Sequence, residues 1–221
     1  MYFVKTPGFF KYLFPNGEWE MKTGEKNIFL TFDDGPIPEI TPWVLDTLNA
    51  YDAKATFFCV GENAQRHPDL VDRIREEGHS LGSHTFNHLN GWHTENTEYY
   101  RNVRRGAREV GSELFRPPYG KLKFHQARFL SQHYRIIMWD ILGGDFDPLI
   151  TSEQVYQNLT KNVVSGSIIV LHDSIKSMDK VRYVLPRFLD FCAENDFHCV
   201  PIQSEHKVER VYPAPVLNVT I

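Results

Sequence analysis

The chain reads as an α/β protein, an irregular (β/α) barrel of about seven parallel strands. Short apolar runs alternate with segments of helical period along most of its 221 residues. The first run, Ile28-Phe-Leu-Thr-Phe32, is apolar at four of five positions, as a buried strand requires. Residues capable of chemistry recur just past the ends of such runs, where α/β proteins build their sites. About seven strands is one short of a closed eight-stranded barrel, so the expected fold is TIM-barrel-like but incompletely closed.

Residues 1–27 form a lead-in expected to pack on the barrel, with Asn16-Gly17 as a turn signal. Its first half, Met1 to Pro15, is aromatic. Lys5, Pro7, Gly8 and Lys11 interrupt it before a secretory core of roughly 7–15 apolar residues can form. The absence of a recognisable signal peptide points to the cytoplasm.

The strand at 28–32 runs into Asp33-Asp34-Gly35-Pro36, where Gly-Pro stops it. Residues 39–51 carry Trp43, Val44, Leu45 and Leu48 at helical spacing, and Ala55–Val60 is the second strand. Pro68–Glu77 is a helix with Leu70, Val71 and Ile74 on one face and Gly78 at its end. Ser80–Gly82 is the third strand and Thr97–Glu113 a charged amphipathic helix. A fourth strand runs into Phe115-Arg116 and stops at Pro117-Pro118. Residues 124–133 are helical and 135–139 form the fifth strand. Ser152 is the expected N-cap of a helix to about Val164. Residues 167–171, 179–194 and 197–201 are the sixth strand, a helix and the seventh strand. The catalytic domain is expected over 28–211 and an extended tail, with Pro213 and Pro215, over 212–221.

Composition narrows the function. The chain is 42% hydrophobic and 24% charged with net charge −4, which argues against nucleic acid as a partner, since phosphate binding needs a clustered positive surface. Arg101, Arg104, Arg105 and Arg108 fall at helical spacing and read as a solvated face. No run approaches the roughly 18 apolar residues of a transmembrane helix. Cys59, Cys192 and Cys199 include no CxxC pair and read as reduced.

The strand ends carry the chemistry. Successive strand side chains face opposite ways, so Asp33 and Asp34 need not share a role. His84 and His88, at i and i+4 after the third strand, would share one side of a helical turn and could meet on one metal ion. With one aspartate they form a two-His, one-carboxylate set that leaves positions open for water and substrate. Arg116, fixed by two prolines, can pair bidentately with a carboxylate. The Gly-rich acidic loop Trp139–Asp147 could orient a His, and His172 at the sixth strand end is a candidate general acid or base.

Thr31-Phe-Asp-Asp-Gly-Pro36, Ser83-His-Thr-Phe-Asn-His88, Arg116-Pro-Pro-Tyr-Gly120, the loop ending at Asp145, and Leu171-His172-Asp173 resemble, in order, the five motifs of the polysaccharide deacetylases. These are carbohydrate esterases with a NodB-like domain. The likeness runs from about residue 28 to 201. It implies a hydrolase that removes N-acetyl groups from N-acetylglucosamine-containing glycans, with one divalent ion, zinc first among candidates. Asp34, His84 and His88 would hold the ion. Asp33 would be the general base, kept ionised by Arg116, and the Tyr119 backbone N–H would help bind the oxyanion. His172 would be the general acid, oriented by Asp145. Leu171 and Phe146 would contact the acetyl methyl, and Trp92 at the rim is a candidate for sugar stacking. Phe146 stands where the family usually has Trp or Tyr, and Leu142 where a small or acidic residue is common. The alternatives are a hydrolase of another C–N amide or O-acetyl ester, or a non-catalytic carbohydrate-binding domain.

Overall fold

Alternation along one strand sets up the whole molecule. In the computed structural model, which describes residues 2–204, the strand Asn27–Asp33 puts Ile28, Leu30 and Phe32 on one face and Phe29, Thr31 and Asp33 on the other. The even set, each fully buried, joins the large core between sheet and helices. Phe29 instead joins a smaller cluster with Phe58, Leu114, Ile137 and Ile168. Thr31 and Asp33 continue that second face toward the strand's C-terminal end. Both faces are buried, so slipping the register by one residue would drive Thr31 and Asp33 into the apolar core, where an unsatisfied polar group costs about 1–3 kcal/mol.

In chain order the lead-in supplies α1 (Gly8–Leu13) and β1 (Gly17–Glu18), and the central strand is β2 (Asn27–Asp33). There follow α2 (Thr41–Ala50), β3 (Thr56–Cys59), α3 (Gly61–Arg66), α4 (Pro68–Glu76), β4 (Ser80–Ser83) and α5 (Asn96–Val110). Next come β5 (Leu114–Phe115), α6 (Phe124–Leu130), β6 (Arg135–Ile137) and β7 (Ile141–Leu142). The described chain closes with α7 (Ser152–Thr160), β8 (Ile168–His172), α8 (Met178–Glu194) and β9 (His198–Cys199). The tail expected over 212–221, and the domain end at 211, lie outside the described residues.

The sheet order is β1-β6-β5-β4-β3-β2-β8-β7, with β9 on the start of β2 and every ladder parallel. It is a curled half-barrel flanked by helices. The sheet has nine strands where the sequence predicts about seven. Both additions are two-residue strands, too short for a periodic signal, and exist only through their partners. β1 pairs with β6 (Gly17 opposite Ile136), and β7, inside the expected loop 139–147, pairs with β8. β1 and β7 end the sheet. The lead-in spans the gap between them by antiparallel bridges, Glu20 to Ser167 and Lys5 to Ile141.

Helix ends follow their capping chemistry. Gly111, left-handed at φ 70°, stops α5 short of the expected Glu113. Thr151, not Ser152, caps α7: its hydroxyl accepts from Gln154 N–H at 3.2 Å while the Gln154 side chain accepts from Thr151 N–H at 2.7 Å. Arg101, Arg104, Arg105 and Arg108 are exposed along α5, as expected. The three cysteines are free thiols. Among the described residues no helix is long and apolar enough to cross a membrane.

Candidate active site

The parallel register brings the strand ends together. β2 and β8 place Asp33 opposite His172, while β3 and β4 carry the chain to His84. Asp34, one residue past β2, turns away from Asp33 with φ 83°. Its carboxylate Oδ1 lies 3.2 Å from His88 Nε2 and 3.9 Å from His84 Nε2. Donor atoms of Asp34, His84 and His88 all fall within 4.8 Å of one another.

His84 and His88 do not share a helical turn. Residues 84–88 form a loop with Thr85 and His88 left-handed at φ 62° and 57°. Tertiary contacts hold this shape. Asn102 Oδ1 on α5 accepts from Phe86 N–H (2.8 Å) and Asn87 N–H (3.2 Å), and Thr85 and Phe86 carbonyls accept from Gly61 and Glu62 N–H at 2.9 Å. A Cβ on Gly106 would stand 2.5 Å from the Thr85 carbonyl carbon, so α5 meets the loop at a distance only glycine permits. Of the six non-glycine residues with positive φ among those described, Asp34, Thr85, His88 and Tyr119 lie here. Such conformations concentrate at functional sites.

The three residues fit a divalent ion. His84 Nδ1 sits 2.8 Å from the Arg116 carbonyl oxygen, which can only accept, so the proton belongs on Nδ1 and the Nε2 lone pair faces Asp34. Burial pushes the His84 imidazole down to about 4, assisted by His88 and Arg116 against the pull of Asp33 and Asp34, so it is neutral, as a ligand must be. Burial works against charge on Asp34, but the His88 hydrogen bond and the neighbouring imidazoles, His172 first, hold its carboxyl well below the usual range.

Asp33 and Arg116 form a buried ion pair, Nη1 to Oδ1 at 2.7 Å. It is monodentate, not the expected bidentate fork. The other guanidinium donors go to Thr31 Oγ1 (2.6 Å) and to the Ile137 and Met138 carbonyls (3.1 and 3.0 Å), and the group stacks 4.0 Å from the Phe58 ring centroid. Burial lowers the Arg116 pKa while Asp33 opposes the shift.

On the other side Asp145, fully buried, accepts from both His172 N–H groups, backbone at 2.7 Å and Nδ1 at 2.9 Å. Nε2 is thereby left toward the site. Burial alone would lower the His172 pKa; the Asp145 charge and hydrogen bond, with Asp34 and Asp33, raise it to about 9. Phe146 lies edge-on to the His172 ring at 5.2 Å. Tyr119, exposed, packs edge-on to His88 at 4.7 Å, and its own backbone is left-handed at φ 60°.

One expected residue stands elsewhere. Leu171 is fully buried in the large core, because strand alternation turns it to the helix side when His172 faces the site. Trp92 is exposed beside Lys121, whose ammonium lies 5.3 Å from the ring centroid.

Residues 20–133 match the sequence profile of the family described as Polysaccharide deacetylase. A peptidoglycan-N-acetylglucosamine deacetylase from Bacillus cereus is 33% identical over 207 residues, covering 88% of this chain and 95% of the relative. This chain belongs to the polysaccharide deacetylase family. A second Bacillus cereus relative with the same description is 35% identical over 170 residues; the match covers 70% of this chain and only 61% of that protein. The Bc1960 peptidoglycan N-acetylglucosamine deacetylase, solved with 4-naphthalen-1-yl-N-oxidanyl-benzamide, superposes with TM-score 0.73 at 29% identity, over 83% of this chain and 91% of that one. A Bacillus anthracis protein described as a CE4 family pseudoenzyme superposes with TM-score 0.75 at 18% identity, over 84% of this chain and 67% of that one, and shares the fold alone.

Within this family member, three neighbours of the site escaped the sequence reading. Asp173, fully buried, accepts from Gly35 N–H (3.1 Å) and Thr41 Oγ1 (2.5 Å), fixing the turn after the aspartates. Burial, opposed by the Thr41 hydrogen bond and reinforced by Asp34, pushes its carboxyl up to about 8. Lys176 brings Nζ to 3.4 Å from Asp34 Oδ2. Thr31 could have been found, since it shares a strand face with Asp33.

Proposed function

We propose that this chain is a metal-dependent hydrolase that removes N-acetyl groups from N-acetylglucosamine-containing glycans. The observation that carries the reading is the register of β2 and β8. It sets Asp33, paired with Arg116, across from His172, paired with Asp145, beside the Asp34–His84–His88 cluster. A base and an acid at neighbouring strand ends are what amide hydrolysis needs, because the nucleophile must lose a proton and the leaving amine must gain one. Relatives are described as peptidoglycan-N-acetylglucosamine and chitooligosaccharide deacetylases, which supports the glycan class.

Asp34, His84 and His88 would hold one divalent ion, zinc first. Bound there, it would supply Lewis-acid polarisation of the amide carbonyl and make a water more acidic. Asp33, held by Arg116, takes the proton of the attacking water. The Tyr119 backbone N–H, in its left-handed turn, donates to the oxygen on which negative charge develops. His172 gives its Nε2 proton to the departing nitrogen, and Asp145 keeps the ring oriented and charged until then. Each proton transfer contributes roughly 10²–10⁴-fold. Phe146 offers the acyl group an apolar wall, and Trp92 a surface for a sugar face at the rim.

The test is release of acetate and free amine from chitooligosaccharides and peptidoglycan fragments, before and after chelation and zinc restoration. Release that chelation abolishes and zinc restores is expected. Acetate from O-acetyl esters alone would replace the reading by that of an esterase, and release from no substrate by that of a binding domain.

A further inference from the structure

Phe146 is braced from behind by a residue far away in sequence. Tyr2 packs on it with ring centroids 5.2 Å apart, and Phe146 in turn lies 5.2 Å from the His172 ring. The Tyr2 hydroxyl donates to Asp147 Oδ2 at 3.1 Å. Burial, then the Asp147 hydrogen bond and the Asp147 and Asp145 charges, raise its pKa to about 12, so it remains a donor. A Cβ on Gly144 would stand 2.7 Å from that hydroxyl, so the loop has no side chain where Tyr2 enters.

The backbone fixes the approach. The segment before α1 runs antiparallel to residues 139–142: Leu142 N–H donates to Val4 carbonyl (2.8 Å), Thr6 N–H to Asp140 carbonyl (2.8 Å), and Thr6 Oγ1 to Trp139 carbonyl (2.8 Å). Lys5 Nζ reaches the buried Asp140 carboxylate at 2.5 Å and the Asn162 carbonyl at 3.0 Å. The lead-in is thus bonded to the same stretch that carries Asp145, Phe146 and Asp147. A phenylalanine standing alone there would have a free face to turn toward; Tyr2 occupies it.

We propose that Tyr2 is a specificity-determining residue that holds Phe146 against His172 and so limits the acyl side of the site to a short acyl group. The idea rests on the deacetylase reading above. Tyr2 bonds Asp147 and packs on Phe146, whereas Asp145 holds His172 by two hydrogen bonds of its own, so removing Tyr2 should leave the proton-transfer groups in place while the wall moves. One methylene in an apolar pocket is worth about 10–200-fold in discrimination.

The experiment compares kcat/KM for N-acetyl and N-propionyl chitooligosaccharides in the parent, Tyr2→Ala and Tyr2→Phe. In Tyr2→Ala the propionyl-to-acetyl ratio is expected to rise about tenfold or more. Tyr2→Phe keeps the ring and loses only the Asp147 hydrogen bond, so its ratio should rise by a smaller factor; it also carries the test if Tyr2→Ala folds poorly. A parent active on the acetyl substrate, with the ratio unchanged in both variants or with both substrates slowed equally, overturns the role of Tyr2 and leaves the deacetylase reading standing. A parent inactive on both substrates overturns the deacetylase reading and this role with it.

Discussion

Asp145 engages His172 twice, one carboxylate oxygen accepting from the backbone N–H and the other from Nδ1. A single buried residue thereby fixes the position, the tautomer and the charge of the imidazole.

Substituting Asp145 by Asn removes the charge that favours imidazolium. The alkaline limb of kcat/KM against pH, set by loss of the His172 proton, should then move to lower pH, because the folded value of about 9 depends on Asp145. Profiles of parent and variant at fixed metal check this. An unmoved alkaline limb would separate Asp145 from the acid.

The same pair links stability to pH. His172 titrates higher in the folded protein than its ordinary value near 6.5, so the proton favours the fold. The contribution is complete below about pH 6.5 and is lost as pH rises through about 9. The Tm advantage of the parent over Asp145→Asn should therefore be largest at mildly acidic pH and narrow across that window. A gap that widens toward alkaline pH contradicts the pairing.

Ligand and base are separable. His84→Ala, His88→Ala and Asp34→Asn should lose bound metal, measured by elemental analysis of the purified variants. Asp33→Asn should keep it while losing most turnover, on the order of 10²-fold or more. The opposite order of metal loss would mean the two aspartates are exchanged.

Arg116→Ala takes from the buried Asp33 carboxylate its one ion-pair partner among the described residues. Breaking a buried pair by deleting one partner costs about 3–5 kcal/mol, well above a typical surface substitution. Denaturant unfolding should show this loss, with part of it recovered in Arg116→Ala combined with Asp33→Asn. Equal stability of the single and double variants would refute the charge argument.

Gly106→Ala puts a methyl 2.5 Å from the Thr85 carbonyl carbon and 2.7 Å from its oxygen. Neither α5 nor the loop can yield cheaply, so overpacking should cost about 1–3 kcal/mol. Because Thr85 lies between the two histidines, metal affinity should fall with stability. Full affinity in a destabilised variant would show that the loop keeps its shape without this contact.

Much of the site was legible in the chain because strand alternation and break signals are local. Ile28–Phe32 followed by Asp33-Asp34-Gly35-Pro36 already says where a buried strand stops and that two carboxylates emerge on different faces. The strand before Arg116 and the one ending at His172 read the same way, so the identities of the Asp, His and Arg set follow from order alone. Distant contacts decided the rest. The His84–His88 spacing is satisfied by a left-handed loop, not a helical turn, because Gly61, Asn102 and Gly106 seat it. β1 and β7 are strands only through β6 and β8, and Leu171 belongs to the core only because its strand turns His172 inward. Tyr2 meets Phe146 across most of the chain, and no window of local sequence contains both. Backbone propensity and side-chain alternation act over a few residues, whereas packing and burial depend on which surfaces the closed fold brings together.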